Sequence, residues 1–315
     1  MTTTPLRLGA ICWNQHTDWP SLLAAGRRAD RLGYDTLWTW DHLYPIVGSS
    51  HGPILEPWLV ITAWAQATER VRIGLMVGAN TFREPALVAK MATTLDHVSG
   101  GRAILGIGAA WSEEEHTAFG FPFGSGPPER LRWLREALPV IRGMLRGETP
   151  TAAGPRYLAR AVRNDPPPVQ ARLPLLVGGG GEKVTLRLVA QYADACNIGG
   201  GPATVRRKDA ILQEHCRTVG RDHREIERTT GVGVVVIRDR RAEAQKVFAD
   251  AFRANGDAAL WQDQPVGTPD EVAAHLAPYL DLGYRHLLAG FPAPYDEESM
   301  TRFVTEVGPR LARMG

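Results

Sequence analysis

The sequence predicts an α/β fold: a (β/α)₈ (TIM) barrel with insertions after strands four and seven, in a single domain spanning 1–315. Two observations carry that expectation. Eight short apolar runs recur, and each is followed by a segment of helical period. Strands alternating with helices imply a parallel sheet, because a parallel pair needs a crossover. Eight such units in 315 residues suit a closed barrel better than an open sheet.

The first unit pairs "LRLGAIC" (6–12) with "DWPSLLAAGRRADRLG" (18–33), in which Leu22, Leu23, Ala29 and Leu32 fall near one face. Asp18 before Pro20 marks a helix start, and Gly33 marks its stop. "DTLWTW" (35–40) precedes a loop and "PWLVITAWAQATER" (57–70); "VRIGLMVG" (71–78) precedes "PALVAKMATTLDHVSGG" (85–101). "RAILGIGAA" (102–110) opens a long irregular stretch that ends in the periodic helix "PERLRWLREALPVIRGMLRG" (128–147). The second half repeats the rhythm with "LPLLVGG", "DACNIGG", "ERTTGVGVVVIR" and "YRHLLAGF" as strands. "NDPPPVQARLP" (164–174) comes nearest to a linker but reads as an extended loop feeding strand five.

Composition narrows the function classes. An apolar fraction of 44% with 22% charged residues suits a soluble globular chain. A net charge of +2 without a basic, aromatic-rich cluster gives no case for nucleic acid. The three cysteines, Cys12, Cys196 and Cys216, match neither a disulfide framework nor zinc spacing, which points to a reducing cytoplasm. The start "MTTTPLRLGAICW" has no signal-peptide pattern, and no apolar run reaches the length of a membrane helix.

In such barrels the chemistry sits at the C-terminal strand ends. Those ends read Cys12–Trp13–Asn14, Trp40–Asp41–His42, Val77–Gly78–Ala79–Asn80, Gly108–Ala109–Ala110–Trp111, Gly178 to Gly181, and Asn197 to Gly201. They are rich in glycine and tryptophan and poor in clustered acids, unlike a sugar hydrolase or a metal hydrolase. A flat, largely uncharged guest fits better, although tryptophans at strand ends are also ordinary core plugs. His42 can move a proton at the mouth; the plainer alternative is a structural histidine beside a turn-capping Asp41. "EEEH" (113–116) lacks the two-histidine spacing of a zinc protease, so no metal site is expected. His215 and Cys216 read as packing residues of a helix, and "RDHREIER" (221–228) as a solvated connector.

"GIGAAW" (106–111) begins like a dinucleotide fingerprint but places Trp111 where a small residue belongs. "GGGGEK" (178–183) lacks the Gly–Lys–Ser/Thr ending of a triphosphate loop. The four glycines nevertheless join a strand to a helix. Such a turn offers backbone N–H groups beside the positive helix end, which suits an anion. A flexible linker fits less well, because strand and helix follow without a gap.

Taken together, these residues resemble the bacterial-luciferase-like family of flavin and deazaflavin oxidoreductases. The likeness runs over nearly the whole chain, from "LRLGAICWNQHTDWPSLLAAGRRADRLGYDTLWTWDHLYPIVG" to "VGTPDEVAAHLAPYLDLGYRHLLAGFP". "TLWTWDHLYPIVG" and "GIGAAWSEEEHTAFG" look most like the branch assigned to coenzyme F420. The resemblance implies a ring held at the barrel mouth and hydride transfer between F420 and a small organic substrate. It implies His42 and Asp41 as catalytic residues. It implies a non-proline cis peptide at Met76–Val77 or Val77–Gly78, and Trp13, Trp40, Asn80, Ala109, Ala110 and Trp111 lining the ring and substrate side. Gly179, Gly180 and Gly181 would hold the cofactor phosphate, with Lys183, Asn197 and Gly199 helping. Two other functions fit the same residues: an FMN-dependent monooxygenase, and a non-catalytic barrel that binds a phosphorylated ligand. Sugar-phosphate dehydrogenases of the family have a glutamate where Trp111 aligns, which argues against glucose 6-phosphate. A homodimer is the arrangement the resemblance implies.

Overall fold

Strand and helix alternate throughout the computed structural model, which describes residues 5–255 and 263–314. In chain order the strands and helices are β1 (Arg7–Cys12), α1 (Trp19–Leu32), β2 (Thr36–Thr39), α2 (Pro57–Ala67), β3 (Arg72–Leu75), β4 (Gly78–Ala79), α3 (Pro85–Ser99) and β5 (Ala103–Gly108). There follow α4 (Glu113–Phe119), α5 (Pro127–Leu145), β6 (Ala152–Ala153), β7 (Leu158–Ala159), β8 (Leu175–Gly178), α6 (Thr185–Tyr192), β9 (Ala195–Asn197) and α7 (Pro202–Thr218). The chain continues through β10 (Glu227–Val234), β11 (Val236–Ile237), α8 (Arg241–Asn255), β12 (Val266–Gly267), α9 (Pro269–Leu280), β13 (His286–Phe291), α10 (Glu297–Arg302) and α11 (Gly308–Met314). With β3 and β4 as one interrupted strand, the eight expected strands are all present, at β1, β2, β3/β4, β5, β8, β9, β10 and β13. The insertion after strand four carries α4 and the antiparallel β6–β7 hairpin. Part of the insertion expected after strand seven, residues 256–262, lies outside the described residues.

Local chemistry explains the helix boundaries. Asp18 accepts from the Ser21 N–H at 2.8 Å, and Gly33 ends α1 at φ 92°. Proline occupies the first turn of α2, α3, α5 and α9, where its missing N–H costs nothing. At α9, Thr268 and Glu271 form a reciprocal capping box.

Contacts divide the chain into two compact units. The first comprises 1–72, 198–207 and 228–315. In it β2, β1, β13 and β10 lie side by side and parallel. Its core is aromatic: Trp38, Tyr284, Phe291 and Phe303 are fully buried. The second comprises 73–197 and 208–227, with β9, β8 and β5 parallel and β5 paired in turn with β3 and β4. Leu134, Leu138, Ile141, Leu175, Val177, Leu186 and Val189 fill its core. Among the described residues, no helix is long and apolar enough to cross a membrane.

The acids missing from the C-terminal strand ends are found where the strands begin. Asp30 accepts from the N–H groups of Glu69, Arg70 and Val71 just before β3. Asp96 accepts from the Gln170 backbone and side chain. Asp194, directly before β9, accepts from the Leu175 N–H at 3.0 Å, from Arg172 Nε at 2.7 Å and from both terminal nitrogens of Arg142. Burial alone would raise the Asp194 pKa. The hydrogen bonds from Arg142 and Leu175, with the charges of Arg142 and Arg172, outweigh burial and hold it below its ordinary value. A depressed carboxylate stabilises the fold above its unfolded pKa and loses that contribution as pH falls through the folded value. Asp194→Ala also strands the buried Arg142 guanidinium, so we expect a loss of about 3 kcal/mol at neutral pH. Urea titrations should find that difference shrinking as the pH drops below about 4. A pH-independent difference would contradict this account.

Candidate functional site

In the first unit, β1 runs into Trp13, which is buried at 2% exposure, while Trp40, beyond β2, is half-buried. Their ring centroids lie 4.6 Å apart, so Trp13 backs Trp40 and leaves Trp40 as the more accessible face. Phe252 meets Trp13 edge-on at 6.1 Å, and Tyr295 Oη donates to its carbonyl at 2.7 Å. Asp41 is buried and His42 is half-buried.

The loop after β2 is sewn to the end of β1 by three consecutive side chains. Asn14 Nδ2 donates to the Leu55 carbonyl at 2.7 Å, and Gln15 Nε2 to the Val47 carbonyl at 2.8 Å. Gln15 Oε1 accepts from the Ile46 N–H at 2.9 Å. His16 Nε2 lies 2.9 Å from the Val47 carbonyl and, since a carbonyl can only accept, carries a proton. Gln15 and His16 escaped the sequence reading; three polar residues in a row directly after a buried strand were the available signal. Gly199, also in this unit, is exposed, and a Cβ there would meet nothing within 4 Å.

The second unit contains the strand-three irregularity. Ile73 and Gly74 pair with Ala103 and Ile104, whereas Gly78 and Ala79 pair with Ile107 and Gly108. This strand therefore carries one more residue than its partner, a β-bulge at Met76 and Val77. The cis peptide is Met76–Val77. Both residues are half-buried, and Gly78 is buried.

Glycines make room for the bulge. A Cβ on Gly106 would lie 2.1 Å from the Leu75 carbonyl oxygen. On Gly108 and Gly178 it would lie 2.8 Å from the Val77 methyl groups. Part of the glycine pattern thus serves packing around Val77. Asn80 is also buried, at 1%, and its Nδ2 donates to Tyr157 Oη at 3.1 Å while that hydroxyl donates to the Asn80 carbonyl at 3.0 Å. Burial pushes the Tyr157 pKa up to about 12, so the hydroxyl keeps its proton.

After β8 the four glycines behave differently from one another. Gly178 packs against Val77, and Gly179 adopts φ 116°, a backbone that side chains disfavour. The Gly179 N–H is spent on the Asn197 carbonyl at 3.1 Å, so Gly180 and Gly181 hold the amides left for a ligand. Asn197 itself is half-buried. A Cβ on Gly180 would lie 2.3 Å from Lys208 Nζ: the ammonium occupies the space that the glycine leaves. Lys208, on α7, has no ion-pair partner among the described residues. His215, further along α7, donates from Nε2 to the Glu182 carbonyl at 2.7 Å and fixes the turn from the other side. The expected helper Lys183 instead lines a groove with Arg135 and Arg187. An accessible glycine turn under an unpaired ammonium fits a phosphate group. Sequence reasoning missed Lys208 because helix α7 alone gives no sign of what it covers.

Ala109 and Ala110 are half-buried, Ala110 has φ 65°, and Trp111 is 61% exposed. From "EEEH", Glu115 and His116 are both buried. His116 Nδ1 donates to the Ser112 carbonyl at 2.5 Å, and in the neutral ring Nε2 accepts from the Thr81 hydroxyl at 2.6 Å. Among the described residues no group of three or more His, Cys, Asp and Glu side chains is placed to hold a metal ion.

The chain belongs to the luciferase-like monooxygenase family, whose model matches residues 6–265. It is 28% identical to the F420-dependent glucose-6-phosphate dehydrogenase of Microbacterium testaceum, over 99% of both chains. It is 30% identical to the enzyme of the same name from Beutenbergia cavernae, over 97% of each. Among solved structures, the coenzyme F420 dependent tetrahydromethanopterin reductase of Methanopyrus kandleri superposes with a TM-score of 0.80 at 19% identity. That superposition covers 98% of this chain and all of that one. The structural likeness gives the fold: the expected parallel (β/α)₈ barrel.

Proposed function

We propose that the chain is an F420-dependent oxidoreductase acting on a small organic substrate. The observation that carries this reading is the turn Gly179–Gly181 beneath Lys208, an anion cradle directly after a barrel strand. Preference for the deazaflavin over FMN draws on the two F420-dependent relatives that match nearly the whole chain. When bound, the deazaflavin supplies a hydride donor or acceptor at its C5 carbon.

The chain's residues do the rest. Gly180 and Gly181 offer N–H groups, and Lys208 a positive charge, to the cofactor phosphate. Gly199 and Asn197 stand at the end of the next strand and add accessible backbone there. Met76 and Val77 present the bulged backbone to the ring. Trp40, backed by Trp13, forms an apolar wall that keeps water from the reacting carbon. His42 gives or takes the proton that accompanies hydride transfer, through an imidazole nitrogen, and Asp41 helps to fix its loop. Asn14, Gln15 and His16 hold that loop in place. We assign the protein to the cytoplasm as a single domain pairing with a second copy.

Fluorescence titration with F420 tests the cradle. Lys208→Met should weaken binding by about tenfold or more, the worth of one charge-assisted hydrogen bond. Gly180→Ala, by pushing the ammonium off the turn, should do the same. The melting temperature of Lys208→Met should not change, because the ammonium has no ion-pair partner among the described residues. Unchanged affinity in both variants would remove the cradle.

A further inference from the structure

Exposed cations in this chain often have an acid beside them. Arg217 meets Glu214, Arg224 meets Asp222, and Lys246 meets Asp250. The groove between α5 and α6 departs from that pattern. It encloses about 290 Å³, far more than a single water needs, and is lined by Arg135, Lys183, Val184, Arg187, Leu188 and Gln191. Its three cations are all exposed and have no ion-pair partner among the described residues. No acid is among the lining side chains.

The sequence withholds partners from them. Three and four residues from Arg135 on α5 stand Leu131, Arg132, Leu138 and Pro139. Around Arg187 the same positions hold Lys183, Val184, Ala190 and Gln191. The neighbouring Glu136 is engaged elsewhere, accepting from the Arg156 and Tyr157 N–H groups at 3.1 and 3.4 Å. Glu182 precedes Lys183 but does not line the groove. Lys183 and Arg187, four residues apart, repel each other, and both sit at the positive end of α6. Like charges gathered there destabilise an empty groove. A chain of carboxylates laid along it reverses the sign of both effects.

Position selects the polyanion. Lys183 follows Gly181 by two residues, so the groove begins beside the turn assigned above to the cofactor phosphate. In F420 that phosphate is not the end of the molecule: a lactyl group and a chain of γ-linked glutamates follow, each glutamate adding a carboxylate. FMN, by contrast, ends at its phosphate.

We infer that the groove between α5 and α6 is a tail site, in which Arg135, Lys183 and Arg187 hold carboxylates of the F420 glutamyl chain. This rests on the reading that Gly179–Gly181 and Lys208 hold the phosphate. Arginine suits the task, because its planar fork takes a carboxylate through two parallel N–H bonds.

Fluorescence titration of the full-length protein tests it with two forms of the cofactor, one with a long glutamyl chain and one ending at the lactyl group. At low ionic strength the long form should bind about tenfold more tightly, the joint worth of a few exposed ion pairs. Salt at about 1 M should erase most of that difference, because exposed pairs are screened. The double variant Arg135→Gln, Arg187→Gln should lose the preference and keep the parental affinity for the short form. Its melting temperature should not fall below the parent's, since both side chains are exposed and unpaired. Arg217→Gln with Arg224→Gln removes the same charge elsewhere and should keep the preference. Equal binding of both forms by the parent, or an undiminished preference in the groove variant, would overturn the tail site and leave the cofactor reading standing. Loss of the preference in the control as well would assign it to overall charge, which also overturns the groove. Failure of the parent to bind either form would instead sink the cofactor reading.

Discussion

Replacing His42 by alanine lowers kcat with reduced F420 on the order of a hundred- to a thousandfold and leaves the F420 dissociation constant unchanged. That is the usual worth of a positioned proton donor or acceptor. The split follows from position. His42 is half-buried at the start of the loop that follows β2, whereas the phosphate cradle is built from other residues in Gly179–Gly181 and Lys208. Added imidazole should restore part of the rate, since a small base can enter the space that alanine leaves. The stability of the variant should be near that of the parent, because the loop is held by Asn14, Gln15 and His16. Full turnover in His42→Ala would remove His42 from the chemistry. Loss of F420 binding together with turnover would make it a binding residue instead.

The second large effect is expected at Gly106→Ala. Its Cβ would stand 2.1 Å from the Leu75 carbonyl oxygen, which is backbone and cannot rotate away. The strand must shift, and it is the strand whose bulge carries Met76 and Val77. Overpacking of this kind costs about 3 kcal/mol. For a chain of this length, that lowers the melting temperature by roughly 5 °C. F420 affinity should fall with it, because the bulged backbone is displaced. Gly199→Ala is the matched control. A Cβ there meets nothing within 4 Å, so calorimetry should find the melting temperature unchanged. A Gly106→Ala protein with parental stability and parental F420 binding would show that the bulge does not depend on this contact.

The two effects bear on how much the sequence disclosed. The eight strands were legible because apolar runs and helical periods are local signals, and Asp18 and Gly33 could be assigned as caps from their own neighbourhood. The strand ends were legible for the same reason. What those ends do to one another was not. "GIG" looked like an incomplete dinucleotide motif, whereas Gly106 and Gly108 make room for a bulge about thirty residues earlier in the chain. Lys183 seemed the cation of the glycine turn because it adjoins it; Lys208 reaches it from another helix. Asn80 seemed a ring contact and proved buried against Tyr157 from the strand-four insertion. His116 gave no local sign that it would hold Ser112. Each of these depends on a side chain meeting backbone far away in sequence, which periodicity does not encode.

The central claim is that the barrel binds a deazaflavin, and competitive titration tests it most directly. Purified protein should bind F420 saturably, and a large excess of FMN should fail to displace it. Tight binding of FMN with no binding of F420 would contradict the account and make the chain a flavin enzyme of the same family.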